Sequence, residues 1–288
     1  MKQITVRPED DLQSILDKAA PGTTIHFTPG VYRRKLMLTT PGLILEGEGA
    51  DQCALVWDDY AKELDEQGRE YVTFRTWTLA VCADNVQMRA LSVINNALNP
   101  QDKGQEVALT VYGDNFQMRD CVLRSTQDTL FLGPLPPDLI ERYDGFLPDA
   151  LRDSRELRSH FSRCIIAGSV DFIFGCGAAL FEDCEIVNVP DGRDHGFVAA
   201  PAHTKEQKEG FVFRRCRFTR EEGVADGSIF LARPWRDYGL SSFIDCAYGP
   251  HIRPEGFDPW LDSGRDKTAR FFESPAVAGR VNWCNRQT

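Results

Sequence analysis

The stretch Phe161-Ser162-Arg163-Cys164-Ile165-Ile166 decides how this chain is read, because it returns three more times. It recurs as Phe181-Glu182-Asp183-Cys184-Glu185-Ile186, as Phe213-Arg214-Arg215-Cys216-Arg217-Phe218 and as Phe243-Ile244-Asp245-Cys246-Ala247-Tyr248. A second pair repeats earlier in the chain: Asn85-Val86-Gln87-Met88-Arg89-Ala90-Leu91 and Asn115-Phe116-Gln117-Met118-Arg119-Asp120-Cys121. Alternating apolar and polar residues in each copy predict a short strand with one face inward. Quasi-repeats of this length with no long helix between them predict an all-β solenoid, in which equivalent side chains stack from rung to rung. A column of small, apolar cysteines suits a narrow interior. Thiol catalysis would need an exposed, electropositive setting, which this pattern does not offer.

Outward from the repeats, Leu12, Ile15, Leu16 and Ala19 fall at helical spacing, with Asp10 or Asp11 as N-cap and Pro21-Gly22 as a stop. One amphipathic helix there would cap the open end of the solenoid. Residues 133–160 break the rhythm with Pro134, Pro136, Pro137 and Pro148, then a charged run from Asp149 to Arg158. This reads as an inserted loop, with a short helix near 149–158, in a single domain spanning 1–288.

Lys and Arg total 33 against 43 Asp and Glu, a formal charge of −10, and no basic block is present. Nucleic acid is therefore not an expected partner. No stretch approaches the roughly 20 apolar residues of a membrane span. Met1 to Asp10 lacks the apolar core of a signal peptide. Nine cysteines, with no Cys-x-x-Cys pair, disfavour disulfide and zinc frameworks. The expectation is a cytoplasmic protein with reduced thiols, no metal and no cofactor, its oligomeric state left open.

Two acidic segments carry the candidate chemistry: Gln127-Asp128-Thr129-Leu130-Phe131 and Gly168-Ser169-Val170-Asp171-Phe172-Ile173-Phe174-Gly175. Each sets one aspartate among apolar or uncharged neighbours, where a buried carboxylate is costly without partners. Brought together, the two could divide nucleophilic and acid/base work in one cleft. On spacing alone they read equally well as turn aspartates at strand ends. A serine route is not visible, since no Gly-x-Ser-x-Gly elbow occurs. His26, His160, His195, His203 and His251 lack the His-Glu-x-x-His spacing of a zinc site and are expected on the surface or in loops.

Together with Gly30-Val31-Tyr32, Gly104-Gln105-Glu106-Val107-Ala108-Leu109 and Leu231-Ala232-Arg233-Pro234-Trp235, these segments make five motifs. In order and over most of the chain, they resemble the pectin methylesterase family. The resemblance implies a right-handed parallel β-helix that hydrolyses methyl esters of galacturonate in pectin or in methylated oligogalacturonides. Carried over by motif, Asp171 would be the nucleophile, held by Arg233, whose charge lowers its pKa. Asp128 would be the general acid and base, and Gln105 and Gln127 the amide donors to the oxyanion. Phe131, Phe174, Trp235 and Trp260 could stack on sugar rings, with core packing as the alternative. Two departures stand out: the 43 positions between Asp128 and Asp171, more than one ordinary rung, and Arg34, where the family often carries an acid. The insertion is expected to narrow the cleft in favour of short oligomers, or else to cover a sheet face or mediate dimer contacts. The competing readings are an esterase or thioesterase for another acyl substrate, and a non-catalytic carbohydrate-binding β-helix. A pectate lyase would need a calcium-binding carboxylate cluster, which is not seen.

Overall fold

In the computed structural model, which describes residues 2–97, 104–152 and 155–285, the repeated residues lie over one another. Register pairs Val122 with Ile165, Ile165 with Glu185, Glu185 with Arg217 and Arg217 with Ala247. The cysteines one position earlier (121, 164, 184, 216 and 246) therefore form a column. Phe161, Phe181, Phe213 and Phe243 are likewise register partners. Their rings stack with centroids 4.9, 4.7 and 4.8 Å apart. Burying a phenylalanine is worth about 1.5–3 kcal/mol, and each well-placed ring pair adds about 0.5–1.5 kcal/mol. This stack is a spine for the later coils.

Around that interior run three sheets of ten, seven and eight strands among the described residues, each ordered coil by coil along the chain. The result is the right-handed parallel β-helix expected from the sequence, with the hand that parallel crossover connections take. The repeat, however, is a corner rather than a strand. Arg158–Ser162 ends one strand, Arg163 turns, and Ile165–Gly168 begins the next in a different sheet. The turning residue adopts a left-handed backbone in every copy: Ala90, Asp120, Arg163, Asp183, Arg215 and Asp245, with φ between 50° and 55°. None of these six is a glycine, so each of these corners carries a cost of about 1–2 kcal/mol. Ion pairs between successive corners offset part of it. Arg163 donates twice to Asp120, both at 2.8 Å, and Arg215 donates to Asp183 at 2.7 and 3.0 Å.

The N-terminal helix forms as expected over Leu12–Lys18, burying Leu12 and Leu16, with Asp11 Oδ1 accepting from the Ser14 N–H at 3.3 Å. Its Gln13 amide donates to the Met37 carbonyl at 2.9 Å and accepts from the Met37 N–H at 3.0 Å. The helix thus also occupies the outer edge of Leu36–Leu38, the last strand of the seven-stranded sheet, where unpaired backbone would invite another chain. At the opposite end Trp283 packs on Phe257 and Phe271.

The insertion lies between strands Leu130–Leu132 and Arg158–Ser162, and its helix is not where the sequence placed it. It spans Pro137–Arg142, where proline at the first turn presets helical φ. From 149 to 158 there is one 3-10 turn, Asp149–Leu151, before the strand begins; residues 153 and 154 lie outside the described residues. Ion pairs hold this end against the coils, from Arg155 to Asp84 and from Arg158 to Asp114. Leu135, Leu139, Leu147 and Leu151 are buried on the outer face of the seven-stranded sheet. Phe146 lies under the guanidinium groups of Arg69 and Arg75, at 4.8 and 4.2 Å. The insertion is a packed cover.

Candidate active site

The seven-stranded sheet carries the site. Gln127 bridges Val170, and Leu130 pairs with Ile173, both 43 positions on. The same offset puts Asp128 beside Asp171 on the next coil, where parallel strands run about 4.8 Å apart. The long spacing is thus one coil enlarged by the insertion. Both aspartates have left-handed backbone, φ 66° at Asp128 and 49° at Asp171. Aspartate tolerates that region better than most residues, and strained backbone of this kind collects at functional sites. At Asp171 the register with the following strand also shifts, between Val170 and Ile173. Bulges re-aim side chains.

Arg233 follows strand Ile229–Ala232, two coils beyond Asp171. Its Nε donates to Asp171 Oδ1 at 2.8 Å and its Nη2 to Oδ2 at 2.6 Å, the two-pronged geometry that fixes a carboxylate in plane. The guanidinium lies between two rings, 3.7 Å from the centroid of Phe197 and 4.0 Å from that of Trp260. Trp260 itself has a left-handed backbone, φ 64°.

Asp128 and Asp171 are buried, 7 % and 8 % exposed respectively as whole residues. Burial pushes Asp171 above the ordinary carboxylate range, and Arg233 only partly opposes it. The sequence reading credited Arg233 with a lowered pKa; its pull has that direction, but loss of water outweighs it. Asp128 is raised well above its ordinary value by burial and by the charge of Asp171, with a weaker opposing pull from Arg233. Asp171 therefore loses its proton first. Two carboxyls held apart in this way can serve as nucleophile and proton donor.

Gln127 Oε1 accepts from Arg193 Nη2 at 2.9 Å, and the Gln127 side chain is among the groups that pull Asp128 downward against burial. Gln105 is half-buried on the preceding coil; the next residue, Glu106, donates its N–H to the Gln127 carbonyl at 3.1 Å. Sequence reasoning missed Arg193 and Phe197. The turn signature Pro190-Asp191-Gly192 marked the loop but not the direction in which Arg193 reaches.

The four aromatic candidates divide. Phe131 and Phe174 are 1 % and 3 % exposed, packed 4.9 Å from each other beneath Phe74, Trp235 and the leucines of the insertion. They are covered by the insertion and so take the core-packing alternative rather than serving as sugar platforms. Trp235 and Trp260 are half-buried at the rim. His203 and His251 lie in loops, one of the two settings expected, but neither is at the surface. His203 is buried, its Nδ1 accepting from the Leu240 N–H at 3.2 Å and its Nε2 lying 3.2 Å from the Gly177 carbonyl. His251 is fully buried. Burial lowers both to about 4.

Against known proteins, the pectinesterase family model matches residues 5–133 and 146–286, its gap falling inside the insertion. Probable pectinesterase 8 of Arabidopsis thaliana is 28% identical over 261 residues, covering 86% of this chain. This chain spans 58% of that relative's length. The fold is similar to that of a pectin methylesterase from carrot, with a TM-score of 0.82 and 23% identity, covering 100% of this chain and 89% of that one. It is also similar to a pectin methylesterase crystallised in complex with a hexasaccharide, with a TM-score of 0.80 and 24% identity, covering 100% and 94%.

Proposed function

The chain belongs to the pectinesterase family, and from that premise we propose that it is a carboxylic ester hydrolase that removes methyl groups from esterified galacturonate and releases methanol. The observation that carries this reading is the two-pronged pairing of Arg233 with Asp171 beside a second buried carboxyl, Asp128, on the adjoining coil. A hexasaccharide bound to a protein of the same fold supports a saccharide substrate.

In this reading, Asp171 attacks the ester carbonyl as the carboxylate, oriented by the Arg233 fork. The tetrahedral oxyanion is held by amide N–H groups of Gln127 and Gln105; neutral donors stabilise it without quenching the nucleophile. Asp128 protonates the departing methoxide to methanol, leaving an anhydride between Asp171 and the galacturonyl group. Asp128, now ionised, takes a proton from water as it attacks that anhydride. The products of this step are galacturonic acid, which gives its proton to solvent, the Asp171 carboxylate and reprotonated Asp128.

The insertion packs over Phe131 and Ala80, which supports reading it as a wall that narrows the cleft in favour of short methylated oligogalacturonides over polymer. The test is methanol release from methylated pectin, methylated oligogalacturonides and simple acyl esters. Methanol from the galacturonate substrates is expected. Turnover confined to the simple acyl esters would overturn the reading.

A further inference from the structure

We infer that Arg193 is a positioning residue for the proposed hydrolysis: it fixes which end of the Gln127 amide faces the two aspartates. The inference rests on the reading of the site given above. Arg193 lies between strands Glu185–Asn188 and Gly196–Pro201, 66 residues from the Gln127 it reaches. Asp191 grips it twice. Oδ1 accepts from the Arg193 backbone N–H at 3.0 Å, and Oδ2 pairs with the guanidinium Nη1. The Asp191 side chain is itself largely buried. Gly192, at φ 82°, supplies the left-handed turn that lets one side chain grip both. The guanidinium is thereby held in place before it meets the amide.

An amide presents an acceptor at one end and two donors at the other, in nearly the same shape, so the walls of a cleft do not choose between them. A guanidinium has only donors and can neighbour only the oxygen. With Oε1 taken by Arg193, the Nε2 hydrogens of Gln127 turn toward Asp128 and the cleft. A flipped amide would set two donors against Arg193 and present an oxygen to the developing oxyanion, repelling it. Arg193 thus controls the sign of the partial charge that the reacting ester meets, without touching the substrate. Its charge also acts on Asp171, which faces Arg233, Arg193, Asp258 and the neighbouring Asp128.

The experiment measures kcat, KM and the pH profile of kcat/KM on a methylated oligogalacturonide for the wild type, Arg193→Met, Arg193→Lys and Asp191→Asn. Loss of one oxyanion donor costs about 100–1,000-fold, and a freed amide still spends part of its time correctly turned, so Arg193→Met is expected to lose about 10-fold or more in kcat with KM within about threefold. Its acid limb should move to higher pH, because a cation near Asp171 is gone. Arg193→Lys keeps that charge, so its limb should stay in place while part of kcat returns. Asp191→Asn should fall between the wild type and Arg193→Met. Wild-type kcat with an unmoved limb in Arg193→Met would overturn the inference. So would a loss carried wholly by KM, which would make Arg193 a direct substrate ligand. If Arg193→Met does not fold, wild-type kcat in Asp191→Asn overturns it equally. A wild-type protein that releases no methanol fails at the earlier step, the reading of the site itself.

Discussion

Asp128 and Asp171 hold a left-handed backbone that asparagine adopts as readily, so Asp→Asn variants remove charge without straining the chain. Asp171→Asn should lose nearly all activity, because an amide is not a nucleophile. Asp128→Asn should fall by about 100–10,000-fold, the usual worth of a general acid. Stability should move the other way. Both carboxyls sit above their ordinary values, so the folded state binds their protons more tightly than the unfolded chain does. That stability is present below the unfolded pKa and is lost as pH rises through the folded pKa. At neutral pH the buried pair is a net cost. Relieving about 1–2 kcal/mol of it in Asp128→Asn should raise Tm by about 2–4 °C in a chain of this size. A lower Tm in that variant would show that the carboxyls are not held at a cost. The aspartates and Arg233 stood out through the family resemblance of the short motifs that hold them; on spacing alone the aspartates read equally well as turn residues at strand ends. Arg193 and Phe197 were not legible, since their roles depend on a loop folding back and on a bulge. For Phe131 and Phe174 the core-packing alternative is the one the structure takes, and no local signal says that a distant loop will cover them.

The insertion's four buried leucines give its role an energetic test. Deleting residues 137–151 would uncover Phe131, Phe174 and Tyr112, and each buried leucine lost or exposed is worth about 1.5–3 kcal/mol. The deletion variant is therefore expected to melt lower and to bind a hydrophobic dye. If it stays folded, its ratio of polymer to oligomer turnover should rise. An unchanged ratio would leave the insertion as a sheet cover alone. At this scale, the repeats specified the solenoid because phenylalanine and cysteine keep the same spacing of three within every copy. The corner inside each repeat was hidden, because a single Asp or Arg turning the chain does not resemble the Gly- or Asn-rich signals that normally mark turns. The helix of the insertion was misplaced because charge, rather than the Pro136-Pro137 start, was taken as the guide.

For the molecule as a whole, His203 makes acid stability a measurable quantity. Its folded pKa of about 4 lies below the ordinary 6.5, so the unfolded state takes up the proton more readily. Its contribution is complete above the unfolded value and is lost as pH falls from about 6.5 to 4. The loss is ~3 kcal/mol at most, and His203→Gln should flatten that part of the curve of Tm against pH. All nine cysteines are free thiols, most of them buried. Denatured protein should therefore titrate with nine thiols and native protein with few; native protein that titrates with most of its thiols would mean the column is not packed. One further property follows from where the insertion sits. It separates the two aspartates in sequence while the sheets hold them side by side, so the exposed Asp144-Gly145 tip is a natural place to divide the polypeptide. A cut there would leave Asp128 on one fragment and Asp171 with Arg233 on the other, joined without a covalent link by the strand pairings, packing and ion pairs between coils. Neither fragment has a complete site. Activity would then report on whether the two halves have met, which makes this solenoid a ready template for a split-protein reporter.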